Sequence, residues 1–527
     1  MQRHFVAVLL AGIAAACPPV HAQPKTVCTI TVNSADEKET IRQRLPKGQY
    51  NFVELVEKGR PDWLRSSCRR HVSCDVLVIS GHFNAGDTFY SDQIDRNEYL
   101  SVDELERASC SASCPTLFSH LKEVYLFGCE SLNPDATKYS SSYGESGRDR
   151  MRRIFPNVPS IYGFYSSAPV GPTAAMLLNK YFDAGGGHDF GTGNASARMM
   201  RIFGHNHITR VSGVRASDAP AWSYRNQVCQ FFDERLSPAQ KLAYVHSLFG
   251  NEANIPTFFE RVEKLMASLD EAQRRSPGLA QALAEISADG KVRALYVDAM
   301  RRADPPTLRA RMITLGATLG WFSHGEARAE RVALINDVLA RRSMGFAEVD
   351  LVCSLNAGHD LDGERARVTA PRAALGYAPH VAALACLGDE QAQERMLRTL
   401  ASADAGDVQI AQTYLRNRPV TESGELRRIA REIARASGPG QVRAIDAIAQ
   451  LNISDHEVLK ELSQLFAQSR SLEVQRALAE LFIRSDPAAL PRPDLLGILR
   501  QHRVRPKGGG HDLIDTLIDR LQQAQAG

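Results

Sequence analysis

Two side chains in this sequence have the right types for nucleophilic attack on a carbonyl carbon: Cys129 and His82. Each follows a short apolar run and a glycine. One run is Val76-Leu77-Val78-Ile79-Ser80-Gly81-His82, the other Val124-Tyr125-Leu126-Phe127-Gly128-Cys129. A thiol attacks only as thiolate, and an ordinary cysteine, with a pKa of about 8.5, is mostly protonated at neutrality. A neighbouring histidine stabilises the thiolate as imidazolium and later gives a proton to the leaving amine. The tetrahedral oxyanion needs N–H donors, which a tight turn after a strand supplies. Gly81 and Gly128 permit such turns. Cys129 thus reads as a nucleophile, His82 as its proton-transfer partner, and Gly81 as part of an oxyanion-binding turn.

For these two side chains to meet, their runs must be strands of one sheet. Continuous apolar runs of β-branched type read as strands buried on both faces. Open parallel sheets keep their active sites just past the strands' carboxyl ends. The surrounding sequence alternates accordingly. Residues 26–32 and 50–55 read as strands, with a capped helix over 35–45 between them, and a short helix is expected over 60–70. The 46 residues between His82 and Cys129 are long enough for the crossover that parallel strands require, with helices expected over 101–108 and 115–122. Residues 132–147 read as loop, 160–165 as a strand, and 171–182 as a helix opened by Gly171-Pro172-Thr173. Gly185-Gly186-Gly187 opens a segment expected as a linker or rim loop, and it lacks the lysine of a phosphate loop. The expected fold class is α/β, a mainly parallel sheet sandwiched by helices over residues 23–215.

Ser80-Gly81-His82 and Gly128-Cys129, each closing a strand, resemble the caspase-like cysteine peptidases, which include caspases, clostripain, gingipains, separase and the CHAT proteases. The resemblance covers roughly residues 26–215. It implies Cys129 as nucleophile, His82 as proton-transfer residue, and the N–H groups of Cys129 and Phe83 as oxyanion donors. It also implies a first pocket whose charge selects the substrate side chain. Asp87, Asp92 and Asp95 follow the histidine in an expected rim loop and Glu130 adjoins the nucleophile; they read as a solvated acidic loop or, in the alternative, as an acidic pocket that would favour Lys or Arg.

The front end bears on the redox setting. Met1-Gln2-Arg3-His4, an apolar run over 5–16 and Val20-His21-Ala22 before Gln23 read as a secretory signal of residues 1–22. Lipidation at Cys17 is the variant of that reading. Export, periplasmic or secreted, makes disulfides available. Without Cys17 nine of the ten cysteines remain, so a monomer keeps at least one free thiol; if that is Cys129, eight are left for four bridges. Cys68/Cys74 and Cys110/Cys114 are the pairs closest in sequence, but spacing does not fix connectivity. The balance of 63 basic and 60 acidic side chains gives no case for nucleic acid or an anionic membrane surface. His205 and His207, with His188-Asp189, raise the thought of zinc, which wants three or four ligands where spacing identifies two. Neither a metal nor a cofactor is expected, and no transmembrane segment.

Residues 216–230 read as a linker and 231–527 as all-helical. A faint repeat recurs at Val408-Gln409-Ile410-Ala411, Val442-Arg443-Ala444-Ile445 and Val474-Gln475-Arg476-Ala477, at offsets of 34 and 32, with residues 381–387 as a degenerate copy. Paired helices at that period are similar to HEAT-type repeats, which present long surfaces to a protein partner. The expected function is an exported cysteine endopeptidase acting on a protein or peptide, with the helical region binding substrate or partner. The alternatives are an inactive adaptor of the same fold and a hydrolase or acyltransferase using the same two residues.

Overall fold

The computed structural model describes residues 23–55, 64, 68, 70–83, 88–92, 98–111, 114–135, 146–341, 343–361, 377–400, 402, 404–420, 422–436, 438–449, 452–505 and 511–526. The segment expected as a signal, Asp87, Asp95 and most of the helix expected over 60–70 lie outside these residues.

The central sheet has six strands: β1 (Lys25–Thr31), β2 (Tyr50–Glu54), β3 (Val76–Ser80), β7 (Glu123–Phe127), β8 (Ser160–Phe164) and β9 (Ile208–Val211). Their order is β2-β1-β3-β7-β8-β9, all parallel except β9. A three-stranded antiparallel sheet of β4 (His82–Phe83), β5 (Thr88–Tyr90) and β6 (Tyr99–Ser101) branches off directly after β3. β3, β7 and β8 are buried at every position, as their unbroken apolar runs require.

Alternation along these strands fills two cores. Leu77, Ile79, Val124 and Leu126 face one side, covered by α2 (Val102–Cys110) and α3 (Gly147–Ile154). Val76, Val78, Tyr125 and Phe127 face the other, covered by α1 (Asp36–Arg44), α4 (Pro172–Asp183) and α5 (Ala197–Ile202). α2 and α3 start on serine caps, Ser101 and Ser146, whose hydroxyls accept from the third helical N–H.

Three expectations change. Residues 115–120 form turns, not a helix: Cys114 is bridged to Cys68 and Lys122 N–H already bonds Asp75 O at 2.7 Å on entry to β7. Residues 204–206 form a short 3-10 turn and His207 is left-handed (φ 55°), so His205 and His207 are not on one face of an extended segment. Among the described residues no group of three or more metal-ligating side chains comes together. The glycine-rich segment, expected as a linker or rim loop, consists of turns and a short 3-10 stretch. It lies at the opposite, amino-terminal edge of the sheet, where the buried Glu123 carboxylate accepts from Gly191 and Gly193 N–H at 2.8 and 2.9 Å. Finally, the expected linker is helical, α6 (Ala219–Phe232).

The chain divides into two compact units. The first comprises the described residues through Leu248 together with Pro256–Ala282, so it runs past the α/β region. Cys110–Cys229 ties α6 to α2. Arg261, from helix Asn254–Ser268, reaches the buried Glu106 of α2 at 2.7 Å, where Arg150 and Arg153 also converge. Burial pushes the Glu106 carboxyl up, but Arg153, Arg261 and Arg150 together hold it well below the usual range.

In the second unit helices stack in two rows. Ala378–Cys386, Ala405–Asn417, Gly438–Ile448, Leu472–Arg484 and Leu513–Ala526 follow one another in contact. Glu390–Thr399, Ser423–Arg435, His456–Gln468 and Arg492–His502 make the second row. The repeated motifs at 408, 442 and 474 all fall in the first row, as does the degenerate copy. Among the described residues no helix is long and apolar enough to cross a membrane.

Candidate active site

β3 and β7 are neighbours, with Ser80 opposite Phe127. His82 and Cys129 each stand two residues beyond that pair, so both lie just past the carboxyl ends of neighbouring strands. The pairing continues past the strand end, since Gly81 N–H donates to Phe127 O at 3.1 Å. That bond removes Gly81 from the expected oxyanion donors: its N–H is already engaged.

Gly128 has no room for a side chain. A Cβ there would stand 2.8 Å from Phe83 Cβ and 2.9 Å from the Phe89 ring. The chain then turns, with Ser131 N–H reaching Gly128 O at 3.4 Å and Glu130 held at φ 56°. Such a conformation is uncommon outside glycine and persists only where the surroundings impose it. Here Ser131, fully buried, imposes it from both sides. Its hydroxyl donates to Leu126 O of β7 and accepts from Phe164 N–H of β8. Cys129 at the apex is half-buried and is the free thiol among the described cysteines.

The other eight described cysteines form Cys28–Cys74, Cys68–Cys114, Cys110–Cys229 and Cys353–Cys386. The pairs closest in sequence are therefore not bonded to each other.

Residues 165–171 run across this edge as a strap. Ser166 O accepts from Glu130 N–H at 2.8 Å, Ala168 N–H points at Cys129 Sγ at 3.4 Å, and Gly171 N–H donates to Glu37 Oε1 at 2.7 Å. Gly171 opens α4 with φ 59° and ψ −134°, a conformation available essentially to glycine. Glu37 is fully buried and its Oε2 finds no partner among the described residues. Burial raises its carboxyl to about 7, against the weaker opposing pull of its own backbone and of Gly171 N–H. Nothing in the local sequence marks this residue, since an acid in the first turn of a helix ordinarily faces water and complements the dipole.

His82, half-buried, lies opposite Tyr90 in the small sheet, with ring centroids 5.5 Å apart. Phe83 turns its ring into the core, 5 % exposed and 4.5 Å from the Phe89 ring. Asp92 was expected in a substrate pocket; its Oδ2 instead lies 3.2 Å from His82 Nε2. Glu130 follows the thiol in the chain and is partly buried. The edge therefore holds a thiol within reach of a backbone N–H, an imidazole on the next strand, and a carboxylate on that imidazole.

No family model matches the chain, and neither a curated protein nor a solved structure matches it.

Proposed function

We propose that this chain is an exported cysteine endopeptidase of the caspase-like kind. The observation that carries the proposal is the register of β3 against β7, which sets His82 and Cys129 at equal distance past one edge of a shared parallel sheet. Three further observations support it. Cys129 is left out of the disulfides while eight other cysteines are bridged. Ala168 N–H is directed at the sulfur at 3.4 Å and so orients the side chain. Phe83 packs inward, so it leaves the cleft clear and its N–H remains the proposed second oxyanion donor beside that of Cys129.

In the reaction His82 takes the thiol proton and Cys129 Sγ bonds the scissile carbonyl carbon. The oxyanion collapses, the C–N bond breaks, and His82 returns the proton to the leaving amine. Water, deprotonated by His82, then displaces the thioester, giving a carboxylic acid and restoring the thiol. The four disulfides fit the oxidising compartment that export implies. The helical stack, HEAT-like in this reading, carries an open groove of about 770 Å³ between neighbouring helices, lined by Gln409, Gln412, Arg416 and Asp446 and rimmed by the exposed Phe346. That groove is where a protein partner would be held.

The test is a peptidyl chloromethyl ketone incubated with the mature chain at neutral pH, followed by peptide mass spectrometry. Rapid, stoichiometric labelling of Cys129 that His82→Ala slows by at least about 100-fold is expected. Labelling no faster than that of a free cysteine would leave the chain an exported helical adaptor.

A further inference from the structure

We infer that Asp92 is a positioning residue for His82, so that the dyad proposed above acts as a series Cys129–His82–Asp92; the inference rests on that cysteine-peptidase reading. Asp92 Oδ2 lies 3.2 Å from His82 Nε2. An ionised carboxylate has no proton to give, so the hydrogen of this contact sits on Nε2. The neutral ring then carries its lone pair on Nδ1, and exchange with the thiol falls to that nitrogen.

The backbone on either side holds Asp92 at this post. Tyr90, two residues earlier, pairs with His82 across the β4–β5 ladder. Ser91 N–H donates to Glu98 O at 3.0 Å, and its hydroxyl reaches Asn33 Oδ1 at 3.1 Å. The imidazole is thus bounded by the Tyr90 ring and by the Asp92 carboxylate. Asp92 is 64 % exposed, and an ion pair so open to water contributes almost nothing to folding. What it supplies is a fixed tautomer and ring orientation. Proton transfer runs from Sγ to Nδ1 and from Nδ1 to the leaving nitrogen; Asp92 accepts the Nε2–H bond throughout and takes no proton.

The experiment uses the full chain with 15N-histidine labelling, His82 being assigned by its loss in His82→Gln. Wild type is expected to show the Nε2–H tautomer alone, and Asp92→Ala a mixture in which Nδ1–H becomes measurably populated. Alongside, the rate constant for iodoacetamide at Cys129 is measured at neutral pH. Asp92→Ala should lower it by about 100-fold, the scale of a proton acceptor displaced by ~1 Å. Asp92→Glu should recover most of the rate, and the thermal midpoint should not move in either variant. A His82 tautomer that ignores residue 92 overturns the inference, as does a rate that Glu fails to rescue. A tautomer that follows residue 92 in a chain whose Cys129 is inert upholds the pairing and counts against the peptidase reading alone.

Discussion

At the scale of single residues, Gly128 sets where the Cys129 thiol stands. Its backbone lies so close to Phe83 and Phe89 that one methyl group would displace a phenylalanine from the core. Gly128→Ala should cost about 1–3 kcal/mol in urea unfolding, the usual range for overpacking. It should also slow alkylation of Cys129 by shifting the turn; a variant of wild-type stability would show that the core yields there. The position of Cys129 and His82 just past neighbouring strands was legible because each follows a short apolar run bounded by a glycine. Glycine before each was legible as a turn former, but its two uses were not. Gly128 is a close approach, whereas Gly81 spends its N–H on Phe127 and serves no oxyanion. The tie between Asp92 and His82 crosses a small hairpin, and no spacing rule marks such a contact.

At the scale of elements, the strap over 165–171 joins the end of β8 to Cys129 and to α1. Its fastening is a buried carboxyl, and that has a consequence for stability. Unfolded, Glu37 titrates near 4.5; folded, burial lifts it to about 7. The folded chain therefore keeps its proton over an interval in which the unfolded chain has lost it. Stability contributed by this group is fully present below about 4.5 and declines as pH rises through 7, by roughly 3 kcal/mol in all. Glu37→Gln, which resembles the protonated acid, should flatten that slope. Urea unfolding at pH 5 and pH 8 checks it, and parallel pH profiles in the two proteins would contradict it. The strap was not legible because loop residues 165–171 show no periodicity. Strand β9 escaped for another reason: Ile208-Thr209-Arg210-Val211 is short, half-buried and antiparallel at the sheet's edge. The helix over 171–182 was legible from Pro172, whose fixed φ suits a first turn, and that over 35–45 from its charged, helix-prone run, although its N-cap is Ala35 and no side chain caps it.

At the scale of the whole chain, covalent closure supplements a core that each unit builds for itself. The parity of the cysteines pointed to one free thiol, and Cys129 is that thiol among the described residues. The pairing was hidden, because bridges follow the sheet and its covering helices and not the sequence: Cys28 on β1 meets Cys74 at the approach to β3, and Cys110 at the end of α2 meets Cys229 in α6. The end of the α/β unit was hidden for the same reason, since α6 looks like a spacer until its disulfide is known. Cys110–Cys229 closes a separation of 119 residues and Cys353–Cys386 one of 33. Loop-closure entropy grows slowly with length, so removing the first bridge should cost about 4–5 kcal/mol and the second about 3–4. Paired serine replacements, Cys110→Ser with Cys229→Ser and Cys353→Ser with Cys386→Ser, followed by urea unfolding without reductant, measure both. The first pair should lower the transition of the α/β unit, which also holds Cys129, and so speed its alkylation once that unit opens. The second pair should lower only the helical transition and leave the alkylation rate in native buffer unchanged. If the second pair altered the Cys129 rate as strongly as the first, the two units would not be separate supports of the chain, and the site would depend on the helical stack for its folding.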